Sequence, residues 1–331
     1  MGVDLHQLSN ALRKAIAHKV VLPINASQYF SLPLSRRYEA LSSWRNDSPH
    51  RFFSENTVFV DQEGTALIWY LPNLLPKHFK NNIFAATTLI DRKLAIGIQG
   101  SSATTQRKKK GSSTNQSWRR QSTLFPSSKK KPTVRPGVAN FSFGWRPCGK
   151  GWSKEEDVAS SVSLKEPVSE IPSTQSWLRR IKDLQLTTSL ILSVIHPDLF
   201  DAAKEVLDFC VEPSSHNGKT HEWASLWNSV YTAMTIISGR ITPEHVDSLG
   251  RSHYLDALVS LGNAANPKMI FRELNASFSY KSGTALFFAG KGWTHEVPEW
   301  GPGERVCYAS YLRPEMIEAH GQCVSSWGLK V

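Results

Sequence analysis

Apolar positions recur along this chain with more than one period. In DLHQLSNALRKAIAH the Leu and Ala residues fall three and four apart, which predicts an amphipathic helix from Asp4 to His18. TVFVDQEGTALIWYLPNLL instead holds two short β-branched and aromatic runs, predicting a hairpin that turns at Glu63-Gly64 and ends at Pro72, a residue with no N–H for a ladder. LIDRKLAIGI (89–98) predicts a further strand, and VANFSFGWRPCGKGW (138–152) an alternating aromatic one. From Thr174 to Phe209 the period lengthens. WLRRIKDLQLTTSLILSVI and DLFDAAKEVLDFC predict two helices parted at His196-Pro197. From Trp223 to Leu312, short β-branched and aromatic runs divided by Gly, Asn and Pro predict an antiparallel sandwich or barrel. No internal repeat is visible. The sum is an α+β fold in which helices brace one face of a β core.

Composition narrows the classes. With 331 residues, 40% hydrophobic and 20% charged, the chain can bury one large core or two modest ones, all in one domain spanning 1–331. Cys148, Cys210, Cys307 and Cys323 form no C-x-x-C pair, which argues against a disulfide framework or zinc ribbon and for buried thiols in a reducing compartment. No signal-peptide run and no stretch of eighteen apolar residues is found, so neither secretion nor a membrane is expected. A monomer is the expectation.

Charge changes the picture more. The formal net charge is +11, yet residues 101–150 hold twelve Lys and Arg and no acid, while the remainder carries 27 basic against 28 acidic groups. The basic stretch, SSATTQRKKKGSSTNQSWRRQSTLFPSSKKKPTVRPG (101–137), is rich in Ser, Thr, Gly and Pro and poor in aliphatics, and reads as a disordered insertion. As a flexible arm it suits a polyanion, nucleic acid before others, rather than a loop that only aids solubility. RKKK and KKKP also resemble nuclear localisation signals, which predicts a nuclear protein.

His245-Val246-Asp247 lies between two strand-like runs, where residues i and i+2 share a face and can reach one metal ion. The rival His196-Pro197-Asp198 sits between helices, and Asp198 there reads as a helix cap. His295 follows the strand Thr284–Phe288 and its glycine turn, and Arg305 opens the next strand. This order is the spacing of a 2-His-1-carboxylate facial triad on non-haem iron, whose open positions take 2-oxoglutarate and dioxygen. Arg305 then supplies a bidentate grip on the far carboxylate of 2-oxoglutarate.

ISGRITPEHVDSLGRSHYLDALVSLG and YKSGTALFFAGKGWTHEVPEWGPGERVCYASYLR resemble the paired signature blocks of the TET/JBP family of iron and 2-oxoglutarate dioxygenases in its fungal form. VFVDQEGTALIWYLP and NFSFGW resemble that group's upstream blocks. The resemblance implies a double-stranded β-helix of jelly-roll or cupin-like type, and oxidation of the methyl of 5-methylcytosine in double-stranded DNA, stepwise to 5-hydroxymethylcytosine and beyond. It implies iron(II) on His245, Asp247 and His295, with Arg305 and Arg240 on 2-oxoglutarate. The base must swing out of the stack to reach a buried metal. Asn140, Phe141, Phe143, Trp145 and Arg313 are the candidates for its pocket. The fungal pattern has Asn at Gly239 and Arg at Val246, and Ser248-Leu249-Gly250 lacks the acidic residue by which some members read cytosine. N6-methyladenine therefore stays open as the substrate base, as do RNA as the substrate and a non-catalytic DNA-binding β-helix.

Overall fold

The computed structural model describes residues 4–46, 49–98, 118–126, 131–145, 158–212 and 220–331. Its strands are β1 (Lys19–Val21), β2 (Arg51–Phe53), β3 (Thr57–Val60), β4 (Ala66–Leu71), β5 (Gly137–Ser142), β6 (Ala233–Ser238) and β7 (Thr242–His245). They continue as β8 (Asp256–Gly262), β9 (Lys268–Phe271), β10 (Ala276–Ser279), β11 (Ala285–Phe288), β12 (His295–Val297) and β13 (Arg305–Tyr311). An eight-stranded sheet has the order β1-β3-β4-β11-β8-β13-β6-β5, and a five-stranded sheet the order β2-β10-β9-β12-β7. Among the described residues, only the β1–β3 and β2–β10 pairs are parallel.

Alternation along the large sheet explains the layering. In β4, Trp69 and Leu71 join a core shared with the helices, whereas Ile68 and Tyr70 face the other way. In β11, Ala285 and Phe287 do the first and Leu286 and Phe288 the second. The second core holds Met269, Phe271, Phe278 and Val297 of the small sheet. Both faces of the large sheet are thus buried, one by helices and one by the second sheet.

Local chemistry sets the element ends. Asp4 caps the helix Leu5–Ala17 by accepting from the His6 amide at 3.0 Å, and Leu8, Ala11, Leu12 and Ala15 form its buried stripe. The β3–β4 turn is held by the Asp61 carboxylate, which accepts from the amides of Glu63, Thr65 and Ala26, and Gly64 takes φ +83°.

Several expectations are corrected. Residues 88–96 are a 3-10 turn (Thr88–Ile90) and a helix (Asp91–Ile96), not a strand. Ile90 and Leu94, four apart, are its buried pair. This helix presses on β5 through two glycines, since a Cβ on Gly97 would lie 1.7 Å from the Val138 carbonyl oxygen and one on Gly137 2.0 Å from that of Leu94. The region 174–209 holds parts of three helices, Ile171–Arg180, Lys182–Ile195 and Pro197–Val211, with an added break at Ile181. The last is capped by His196 and not by Asp198: the His196 ring accepts from the Leu199 amide. Cys210 and Cys307 are buried but Cys323 is exposed, and Cys148 lies outside the described residues. Among the described residues no helix is long and apolar enough to cross a membrane.

The expected disorder of 101–137 also needs correction where that segment is described. Residues 118–126 and 131–137 are held on the body by Phe125 and Val134, both buried, and by the Leu124 carbonyl, which accepts from the Ile241 amide at 2.8 Å. The Glu304 carboxylate, which accepts from the Thr133 and Val134 amides, adds to these anchors, and a composition average conceals them all. Residues 101–117 and 127–130 lie outside the described residues.

Candidate metal centre and its pocket

The β7–β12 ladder places His245 directly opposite His295. Asp247 lies just past the end of β7, where its amide donates to the Gly290 carbonyl at 2.8 Å. Gly290 is needed there, because a Cβ would sit 2.6 Å from Asp247 Oδ2. Asp247 Oδ1 is 3.6 Å from His245 Nε2, and Oδ2 is 3.9 Å from His295 Nε2. One ligand atom from each of the three residues lies within 4.8 Å of the others. Each imidazole Nδ1 donates to a carbonyl two residues earlier, Pro243 for His245 and Trp293 for His295, which leaves both Nε2 lone pairs for a metal.

Charge states favour the same use. Burial pushes both imidazoles below their ordinary value, so both are neutral ligands at physiological pH. Burial also acts to raise the Asp247 carboxyl, but His295 and His245, which gain charge in the acid range where it titrates, and the Arg119 guanidinium outweigh it and hold the group below the ordinary carboxylate range. Two neutral imidazoles and one carboxylate on one face can hold a divalent transition metal with positions left open.

Beside this cluster lies an anion site. Arg305, first residue of β13, is buried with Nε and Nη1 lacking any partner among the described residues, and it lies over the Tyr280 ring at 4.9 Å. Its strand neighbour Gly262 holds φ +107°, and a Cβ there would meet the Glu304 carbonyl oxygen at 2.1 Å. Arg240 is also buried, pushed down to about 9 by burial and by the nearby Arg119 and Arg305 charges. Arg240 is engaged, with Nη1 donating to the Arg119 carbonyl and Nε and Nη2 to the Thr242 hydroxyl, whereas the buried Arg305 donors call for an anionic guest, and a carboxylate fits a guanidinium fork. The donor set therefore fits both a metal and an acidic co-substrate.

These residues line one cavity of about 400 Å³, in the size range of small-ligand pockets. Asn140 and Arg313 line it as well. The Thr235 hydroxyl donates to Asn140 Oδ1 at 2.7 Å, and the Arg313 guanidinium lies 5.3 Å from the Tyr311 ring centre. Phe141, Phe143 and Trp145 do not line the cavity, which corrects the expected substrate wall. Strand parity explains this: Asn140 points into the pocket, so Phe141 points to the helices and packs on Trp177, and Phe143 packs on Trp227. Trp145 pairs by its backbone with Ala159 at an isolated bridge.

Two pocket residues, Asp256 and Arg119, and Trp118 beside them escaped the sequence reading. Asp256 begins β8 and is buried, with its carboxyl pushed well above the ordinary range by burial and by Asp247. It lines the cavity and accepts from the Gly290 amide at 3.1 Å. An acid inside the apolar run YLDALVSLG was the available signal. Arg119 bonds Asp247 Oδ1 at 2.5 Å, and the Trp118 ring meets His245 edge-on at 4.9 Å. Both sit within the segment read as a disordered arm.

No protein-family model and no curated protein matches the chain. Among solved structures, NgTET1 in complex with 5mC DNA matches over 88% of this chain and 92% of that one, at 14% identity and TM-score 0.46. The viral collagen prolyl hydroxylase vCPH from Paramecium Bursaria Chlorella virus-1 matches over 24% of this chain and 56% of that one, at 12% identity and TM-score 0.19.

Proposed function

We propose that this chain is an iron(II)- and 2-oxoglutarate-dependent dioxygenase that oxidises the methyl group of a methylated base in double-stranded DNA. The observation that carries the reading is the His245–Asp247–His295 cluster sharing one cavity with Arg305, whose buried Nε and Nη1 have no partner among the described residues. His245, Asp247 and His295 hold the iron. Arg305 grips the distal carboxylate of 2-oxoglutarate, and Arg240 adds positive charge beside it. Iron and 2-oxoglutarate, when bound, supply hydroxylation of a C–H bond by dioxygen with loss of carbon dioxide from the co-substrate. The protein binds these groups and keeps both imidazoles neutral and aimed.

Two facing sheets with His245 on β7, Asp247 just past it, His295 on β12 and Arg305 on β13 support a double-stranded β-helix, in one catalytic domain carrying the basic insertion. A base reaches the cluster only when turned out of the duplex. Asn140, Asp256 and Arg313 then offer polar groups to its edge. Burial and Asp247 favour the protonated form of the Asp256 carboxyl, which would present a donor beside an acceptor and so suit N3 and N4 of cytosine or N1 and N6 of adenine. Both 5-methylcytosine and N6-methyladenine fit that description. The excess of basic groups in 101–150 supports polyanion binding and, with its RKKK cluster, a nuclear location.

The deciding experiment incubates the protein with iron(II), 2-oxoglutarate and duplexes that each carry a single methylated base, followed by nucleoside mass spectrometry and succinate measurement. Oxidised nucleosides with matching succinate support the reading. Turnover on methylated RNA with none on DNA moves the activity to RNA, and no turnover on any methylated polymer removes it.

A further inference from the structure

We infer that Arg119 is a positioning residue for the metal centre, one that fixes Asp247 as a ligand through a single oxygen. The inference rests on the metal-centre reading above. Arg119 Nη2 bonds Oδ1 of Asp247, while Oδ2 of the same carboxylate faces His295 Nε2. A carboxylate whose one oxygen is held by a guanidinium presents the other to a metal, and a ligand so restrained leaves more of the metal's face open to a co-substrate.

The arginine is not a stray surface group. Its own carbonyl accepts from Arg240 Nη1 at 3.2 Å, and the Arg240 guanidinium lies 5.0 Å from the centre of the Trp118 ring. Trp118 in turn stands edge-on against His245. Downstream, Leu124 is tied to Ile241 and Phe125 is buried, so the segment is anchored on the strand connection that leads into His245. Residues 118–125 thus form a wall of the site and reach two of the three ligands, Asp247 through Arg119 and His245 through Trp118. Arg119 retains 28% side-chain exposure, so replacing it leaves the apolar core intact.

The test uses cobalt(II) as a probe with the full chain, titrated without oxygen and followed by its d–d absorption. Wild type, Arg119→Gln, Arg119→Lys and His295→Ala are compared. If Arg119 positions Asp247, Arg119→Gln weakens cobalt binding by about 10- to 100-fold, the usual effect of losing a partner behind a metal ligand. It also weakens the d–d band, because the freed carboxylate closes on the metal with both oxygens and raises the coordination number. Arg119→Lys recovers part of both. Circular dichroism of each variant excludes unfolding as the cause. Cobalt affinity unchanged or raised in Arg119→Gln marks the arginine as a group that the metal displaces, and overturns the proposal. Wild type no better than His295→Ala overturns the metal centre itself, a result independent of the Arg119 variants.

Discussion

His245 and His295 are partners across the β7–β12 ladder and are locked alike, each Nδ1 donating at 2.9 Å to the carbonyl two residues before it. Backbone geometry alone therefore sets both tautomers, and the ligand set exists before any metal arrives. Replacing Asp247 or His295 by Ala should abolish succinate formation and metal uptake. The fold should tolerate the Asp247 change. Its pair with Arg119 is 42% and 28% exposed, and such pairs contribute roughly 0.2–1 kcal/mol. A thermal melt checks the second point and metal analysis the first. Turnover retained by both variants removes the site.

Arg305 should act on co-substrate affinity. Its buried Nε and Nη1, without a partner among the described residues, gain an acceptor when a carboxylate enters, so Arg305→Ala should raise the KM for 2-oxoglutarate by about 30- to 1,000-fold, or about 2–4 kcal/mol. The same change takes an uncompensated buried cation out of the empty protein, whose melting point should not fall. An unchanged 2-oxoglutarate dependence moves the role to Arg240.

The cluster was legible because strand periodicity and spacing along the chain encode it: His245 ends one strand, His295 opens another and Arg305 opens a third. The rest of the pocket was less so. Phe141 and Phe143 were misassigned because alternation gives two faces without saying which is the inner one, and only the pairing of β5 with β6 places Asn140 beside Thr235. Arg119 was hidden in another way. Its bond to Asp247 spans 128 residues, and it stands in a stretch whose composition predicts no fixed structure. Two buried side chains, Phe125 and Val134, overrule that average locally. Ile90 and Leu94 fit a helix as well as a strand, and packing against β5 decides between them.

Asp256 should matter to the base and not to the metal. Asp256→Asn keeps a donor and an acceptor at the same place and should retain most turnover, whereas Asp256→Leu should lower kcat/KM for the methylated duplex by roughly 10- to 100-fold, about one charged or buried hydrogen bond. Cobalt affinity of Asp256→Leu should stay near wild type. Equal kcat/KM for the leucine variant and wild type would show that no base edge meets this carboxyl.

Acid should loosen the helical layer at His196. This ring is fully buried between Ile195 and Pro197, its Nδ1 accepting from Leu199 and its Nε2 donating to the His253 carbonyl. Burial pushes it down to about 4 from the ordinary 6.5. The folded state thus favours the neutral ring: its contribution is whole above about pH 6.5, shrinks as pH falls from there and is gone below about 4, a loss of roughly 3 kcal/mol. His196→Asn keeps an acceptor for the Leu199 amide but cannot titrate. Denaturant unfolding at pH 7 and 4.5 should show a smaller drop for the variant, and identical drops would place the acid sensitivity elsewhere.

The basic segment should divide into two functions at Trp118. Arg119 is engaged with Asp247 and Trp118 with His245, so removing the whole of 101–137 would damage the metal site and confuse two effects. Removing 101–117 alone takes away Arg107, Lys108, Lys109 and Lys110 while leaving the wall at Trp118 in place. If those four cations meet phosphates, the log–log salt slope of duplex binding should flatten by up to about 3.6, at roughly 0.9 for each phosphate no longer neutralised. Turnover at saturating DNA should remain near wild type, because no proposed ligand of iron or 2-oxoglutarate has changed. Binding of a methylated duplex at several salt concentrations, beside turnover at saturation, separates the two. Equal slopes leave the RKKK cluster as a localisation signal or a solvated loop, and a collapse of turnover at saturation places residues before Trp118 in the site as well.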